Sequence, residues 1–249
     1  MKIHDRFYKD RVALNVLAKG EENIKAVYQA ADENIVIGVL SKDYDGVNSA
    51  VTAMTQFGKE VDDAISIGLG AGDNRQAKVV AEIARYYQAA HINQVFTDVG
   101  QTTAKNNEQS WVNALVSPTG KPGFVNISTG AISSEGEEKA IIPIEAAINL
   151  IKDMGGSSIK FFPMKGLETV EEYKAVAEAC GRAEFGLEPT GGITKDNFED
   201  IVKIALDCKV PRIIPHVYSS IIDKETGLTN INDVEWLTSK IKQLVDLYE

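Results

Sequence analysis

Cysteine is scarce in this chain. Only Cys180 in "AEACGR" and Cys208 in "ALDCKV" occur among 249 residues, and they are not spaced as a CxxC pair. That argues against a disulfide framework or a cysteine-bound zinc, and leaves two reduced, partly buried thiols as the expectation. No apolar run approaches the roughly 18 residues that a membrane span needs, and the opening "MKIHDRFYKD" lacks the apolar core of a secretory signal. The expected location is the cytoplasm. Positive charge is also short: 26 Lys and Arg face 36 Asp and Glu, for a formal charge of −10. Neither nucleic acid nor an anionic membrane is an expected partner, because both require a basic surface. A small anionic substrate in a locally positive pocket is compatible with that balance.

What the chain does contain is alternation. Short, largely β-branched runs occur at 11–18, 34–41, 63–70, 92–98, 111–117, 123–129, 157–164, 184–190 and 211–217. Between them lie amphipathic sets at i, i+3, i+4, i+7: Ile24, Val27, Tyr28 and Ala31; Tyr173, Val176, Ala177 and Cys180; Phe198, Ile201, Val202 and Ala205. Thr169 with Glu172 reads as a capping box opening the helix after 157–164. Strand starts recur at about the length of a βα unit, which points to a parallel sheet. Nine runs exceed eight by one, and "WVNALVSPTGKPGFVNIST" looks like a hairpin around a Pro/Gly turn, so one arm is an excursion. The expected fold is α/β, a single (β/α)8 TIM barrel over residues 1–249, with an open doubly wound sheet as the alternative. No linker or low-complexity tract divides it.

Strand alternation then assigns faces. In "SSIKFFPM" (157–164), Ile159 and Phe161 share the helix-facing side and Lys160 points inward. By the same test Glu188 in "EFGLEPT" and Asn15 in "VALNVLA" face in. An enclosed lysine loses its preference for the ammonium form, which frees the amine as a nucleophile. The competing reading is a lysine that snorkels from the mouth or forms an inert ion pair with Glu188.

The loops after the last two strands carry "PTGGIT" and "HVYSSI". Barrels often bind phosphate there, and Gly191, Gly192, Ser219 and Ser220 suit that task; a tight turn and a helix cap explain the same residues without a ligand. "GLGAGDNRQ" (68–76) is a second glycine-rich loop, with Asp73 as a helix cap; it lacks the Lys-Ser/Thr of a P-loop. His216 ends the eighth strand and is a site candidate, whereas His91 opens strand 4 at the face associated with stability and His4 lies near the terminus. "SKDYDG" (41–46) brings Ser41, Lys42, Asp43 and Asp45 near the mouth, mostly as a solvated loop. No His/carboxylate spacing singles out a metal site.

"IKFFPMKG" followed by "EPTGGI" resembles the class I 2-keto-3-deoxy-6-phosphogluconate and 4-hydroxy-2-oxoglutarate aldolases. "LNVLAK", "GVLSKDYDG", "SIGLGAGD", "NALVSPTG", "GGSSIKFFPM", "FGLEPTGGI" and "PHVYSSIIDKETG" extend the likeness to a branch linked to glucosaminate breakdown in bacteria. The resemblance implies that Lys160 forms a Schiff base and that Thr190, Gly191 and Gly192 bind phosphate, completed by Ser219 or Ser220. It also implies a homo-oligomer, and no metal or organic cofactor. One departure stands out. Better-known members use a glutamate on strand 2 as proton shuttle, and "NIVIGVLS" has no acid within it. Glu188 is the favoured replacement, ahead of Asp43 and His216; Asn15, Ser41 and Lys42 are candidates for the substrate carboxylate. Competing functions are a phosphosugar isomerase or epimerase with Glu188 as base, a non-catalytic barrel that binds phosphorylated ligands, and a metal-dependent aldolase.

Overall fold

The computed structural model describes residues 2–248. The predicted alternation is present as β1 (Leu14–Leu17), β2 (Ile35–Leu40), β3 (Ile65–Gly68), β4 (His91–Val95), β5 (Trp111–Val116), β6 (Phe124–Asn126), β7 (Ile141–Pro143), β8 (Ser158–Phe161) and β9 (Gly186–Pro189). The helices are α1 (Glu21–Ala30), α2 (Val47–Glu60), α3 (Ala77–Tyr86), α4 (Val99–Lys105), α5 (Ile144–Asp153), α6 (Val170–Arg182), α7 (Lys195–Asp207) and α8 (Ile231–Leu247). Seven strands form one curled parallel sheet in the order β1-β2-β3-β4-β5-β8-β9. Its register sets Lys160 directly beside Glu188.

The expected eighth strand is not a regular strand. Residues 211–217 lie between the sheet's two edges, with isolated parallel bridges from Ile213 to Val12 and to Leu187, and from His216 to Asn15 and to Thr190. Ala13 N donates to Ile213 O at 3.1 Å on one side, and His216 N donates to Pro189 O at 3.0 Å on the other. Pro211 and Pro215 have no N–H to give, so the ladder is interrupted.

The hairpin excursion is observed. β5 stays in the main sheet, Ser117 and Asn126 form an antiparallel bridge, and β6 pairs antiparallel with β7, a short strand absent from the sequence reading. The capping box expected at Thr169 and Glu172 does not form. Thr169 Oγ1 donates to Met164 O, while Glu172 is drawn away to accept the backbone N–H groups of Thr119 and Gly120 at 2.7 and 3.0 Å.

The three predicted amphipathic faces are all buried against the sheet. Tyr173 shows how they lock together: it is fully buried, its ring stacks on Phe161 of β8 at 6.3 Å, and its hydroxyl donates to Ile201 O of α7 at 3.0 Å. Truncating a ring so placed costs about 3–5 kcal/mol. At the opposite end from the strand C-termini, Ile3, Phe7, Ala13, Val36, Ala90, Trp111 and Ile214 make a separate apolar cluster, with Phe7 and Trp111 rings 5.6 Å apart. A short N-terminal helix, Lys2–Arg6, carries Ile3 into it and closes that end. Among the described residues no helix is long and apolar enough to cross a membrane.

Candidate active site

Inward-pointing residues stack in three levels. The apolar cluster is the lowest. Above it lie polar groups, and above those the wall of a cavity of about 450 Å³ at the strand C-terminal end. Lys160 is half-buried on its lining, with Asn93, Phe162, Thr190, His216 and Tyr218 around it. Burial lowers the Lys160 amine to about 8, against a smaller upward pull from the Glu188 carboxylate. Lys160 Nζ donates to Asn93 Oδ1 at 2.7 Å. Asn93 cannot turn away, because its amide donates to Ser66 Oγ at 3.0 Å and to Ile67 O at 3.1 Å.

Glu188 is fully buried and does not line the cavity. Trp111 Nε1 (3.0 Å) and Ser158 Oγ (2.6 Å) donate to its Oε1, and Asn113 Nδ2 donates to Oε2 at 2.6 Å. His91 Nε2 lies 3.1 Å from both oxygens, and His216 Nε2 lies 2.7 Å from Oε2. Burial alone would raise this carboxyl. The facing imidazoles of His91 and His216 override it and hold Glu188 well below the usual carboxylate range. An acceptor so surrounded has no lone pair left for a substrate.

Donor counting fixes the protons around it. Ser66 Oγ accepts from Asn15 Nδ2 at 3.1 Å and from Asn93, so its own hydrogen goes to His91 Nδ1 at 2.7 Å. His91 therefore presents Nε2–H to Glu188. His216 is depressed to about 3, first by burial and then by the Lys160 charge, so it is neutral at pH 7 and likewise gives Nε2–H to Glu188. Its Nδ1 lies 2.7 Å from the Tyr218 hydroxyl, which is also 3.1 Å from Asn15 Oδ1. Burial pushes the Tyr218 phenol up, so it is un-ionised.

His91, Glu188 and His216 bring ligand atoms within 4.8 Å of one another, a spacing that a metal ion could bridge. The hydrogen bonds described above satisfy this donor set without one. Both Nε2 atoms spend their hydrogens on Glu188, whose oxygens also receive fixed N–H and O–H groups from Trp111, Asn113 and Ser158, and those donors repel a cation.

Of the other sequence candidates, Thr190, Gly191, Gly192, Ser219 and Lys42 line the cavity. Gly191 and Gly192 have φ of 99° and 73°, a turn that suits glycine. The 68–72 part of the second glycine-rich loop joins them on the opposite wall, with Gly70, Ala71 and Gly72 all at positive φ and the Lys42 stem packed on Gly70. Asp73 caps only a short turn, accepting from Arg75 N. Four candidates are not on this wall. Asn15 is buried beneath it in the polar level; Ser41 is buried and donates to Gln76 Oε1; Ser220 donates to Ile193 O; and Asp43 faces a neighbouring groove beside Lys19 and Tyr44. The strand-2 departure is structural too. The inward position on β2 is Gly38, where a Cβ would meet the end of the Leu17 side chain at 2.7 Å and Val16 O at 3.3 Å, so an acid there would need Leu17 to move.

Sequence reasoning passed over Asn93, Asn113, Tyr218 and the inward role of His91. The signal was alternation: "HINQV" puts His91 and Asn93 on one face, and "WVNALV" puts Asn113 on the same face as Trp111.

Among solved structures, the chain resembles a truncated 3-deoxy-D-arabino-heptulosonate 7-phosphate synthase from Thermotoga maritima, with a TM-score of 0.56, 15% identity and coverage of 95% of this chain and 87% of that one. It also resembles a mutant tryptophan synthase alpha-subunit from Pyrococcus furiosus, with a TM-score of 0.54, 14% identity and coverage of 95% and 98%. Identities so low speak for the fold alone. A curated protein from Salmonella typhimurium (strain 14028s / SGSC 2262), named 2-dehydro-3-deoxy-phosphogluconate aldolase, is 47% identical over 244 residues, covering 96% of this chain and 98% of its own. The family model described as KDGP aldolase matches residues 8–225. With a match of that extent, this chain belongs to the KDGP aldolase family.

Proposed function

We propose that the chain is a class I aldolase that cleaves 2-dehydro-3-deoxy-6-phosphogluconate to pyruvate and glyceraldehyde 3-phosphate through a Schiff base on Lys160. The observation that carries this reading is a lysine amine lowered to about 8 on the lining of a cavity walled by two glycine turns. The name of the 47% identical relative supports the substrate. A (β/α)8 barrel, with residues 211–217 as its irregular eighth stave, is the fold this reading uses.

Neutral Lys160 attacks the C2 ketone, and the carbinolamine loses water on taking up one proton to give an iminium. Cleavage of C3–C4 sends its electron pair into the iminium, which becomes a neutral enamine. The C4 hydroxyl proton goes to a base, and the aldehyde leaves. Protonation of the enamine at C3 and hydrolysis then release pyruvate. The Thr190–Gly192 turn and Ser219 hold the phosphate, and Lys42 on the opposite wall attracts the carboxylate. Glu188 works from beneath, orienting His216. No metal takes part.

Incubation with pyruvate and borohydride, followed by peptide mass spectrometry, tests the mechanism. A pyruvyl mass on the Lys160 peptide that is absent in Lys160→Ala is the expected result. An active enzyme that gives no adduct would send the search to non-covalent isomerase chemistry.

A further inference from the structure

His216 has both ring nitrogens engaged inside the protein: Nε2 faces Glu188 and Nδ1 faces the Tyr218 hydroxyl, each at 2.7 Å. It cannot pass a proton to a ligand directly. The Tyr218 hydroxyl is the next atom along that chain, and Tyr218 lines the cavity. This hydroxyl has one hydrogen and two acceptors within reach, His216 Nδ1 and Asn15 Oδ1. Asn15 is held in that orientation by the bond from its amide to Ser66 Oγ. Hence the imidazole can gain a proton at Nδ1 with no heavy atom moving, the hydroxyl hydrogen being directed to Asn15 instead.

We propose that Tyr218 is the catalytic acid–base of this site, exchanging protons with the substrate while His216 stores them and Asn15 and Glu188 act as positioning residues. This rests on the aldolase reading above.

In the cleavage step the Tyr218 oxygen takes the C4 hydroxyl proton as its own hydrogen passes to His216 Nδ1. The C3–C4 electrons move to the iminium, and the aldehyde forms. One positive charge has then moved from the iminium nitrogen to the imidazolium, so the net charge of the cavity is unchanged. The return path delivers the proton through Tyr218 to C3 of the enamine and restores neutral His216. Of the groups facing His216, the Glu188 carboxylate favours a proton there, while Lys160 and His91 oppose it. Glu188 on β9 and His91 on β4 lie on its inner side, Lys160 on β8 on the cavity side, and Tyr218 follows in its own segment. The Lys160 charge, which opposes a second cation at His216, disappears at the moment the enamine forms.

The test is Tyr218→Phe, read by borohydride trapping of pyruvate and by loss of the pyruvate methyl NMR signal in D2O. The variant is expected to trap pyruvate as the wild type does, while exchanging methyl hydrogens and cleaving substrate at least about 100-fold more slowly, the range of a lost general acid–base. Trapping with exchange at the wild-type rate would overturn the assignment. If the variant traps nothing, Asn15→Ala supplies the answer: slowed exchange with intact trapping supports the relay, and wild-type exchange rejects it. A wild-type chain that fails to trap pyruvate on Lys160 is a different failure, that of the aldolase reading itself.

Discussion

Lys160 Nζ and Asn93 Oδ1 lie 2.7 Å apart, and the Asn93 carbonyl is held in place by its own amide and by Asn113, whose Nδ2 reaches Oδ1 at 3.0 Å. A neutral acceptor steers the amine without stabilising its charge as a carboxylate would. Asn93→Asp should therefore raise the Lys160 pKa. Imine formation with pyruvate, followed against pH, is expected to rise through about 8 in the wild type and about one pH unit or more higher in the variant. Coincident profiles would show that Asn93 does not set the amine's basicity.

Lys160 also has a stability cost whose sign can be checked. Its folded pKa of about 8 is below the ordinary 10.5, so between those values the unfolded chain holds more protons and stability rises with pH. Below pH 8 the full penalty applies, about 3 kcal/mol. Lys160→Met is expected to abolish turnover yet raise the melting temperature at pH 7 by about 6–12 °C, with the gain gone by about pH 10.5. A Met variant less stable than wild type at pH 7 would contradict the desolvated amine.

Glu188→Gln should behave in the opposite way. The amide would bring N–H groups against the Trp111, Ser158, Asn113, His91 and His216 donors, at a cost of about 3–5 kcal/mol. Because the folded carboxyl is depressed, its contribution is present above the ordinary carboxylate pKa and is lost only as pH falls through the lower, folded value. Chemical denaturation at pH 7 measures the cost. A variant as stable as wild type would mean the carboxylate is not the keystone of this level.

Gly192→Ala probes the phosphate turn. A Cβ at Gly192 would lie 2.4 Å from Gly166 N, and φ is 73°, so the turn must shift. KM for the phosphorylated substrate is expected to rise about tenfold, as for one lost hydrogen bond to a charged group, with unphosphorylated 2-keto-4-hydroxy acids changed little. Equal effects on both substrate classes would remove the turn from phosphate binding.

Dialysis against EDTA should leave turnover unchanged, since His91 and His216 are committed to hydrogen bonds with Glu188. Loss of activity restored by a divalent cation would return those three residues to consideration as ligands.

Alternation made much of this legible. One strand suffices to show that Ile159 and Phe161 leave Lys160 facing inward, and the amphipathic faces of α1, α6 and α7 follow from spacing alone. What inward residues meet is not a local property. His91 and Glu188 are 97 residues apart and become neighbours only when the sheet curls, so a histidine read as part of the stability face lies against the carboxylate. Asn15 faces inward as alternation predicts, but it lies two residues, one level, below Leu17 on the cavity wall, and Ser41, expected near the mouth, is turned to Gln76. The eighth strand was legible as a position and not as a ladder, because prolines mark both.

The apolar cluster around Phe7 and Trp111 lies at the end of the sheet opposite the cavity. On the aldolase reading, substrate, water and both products use the doorway at the strand C-terminal end, and the covalent tether sets their order. The phosphorylated aldehyde held at the rim departs first and pyruvate, tethered to the floor, departs second. Run backwards, the same tether makes condensation ordered, with pyruvate loaded before any aldehyde enters.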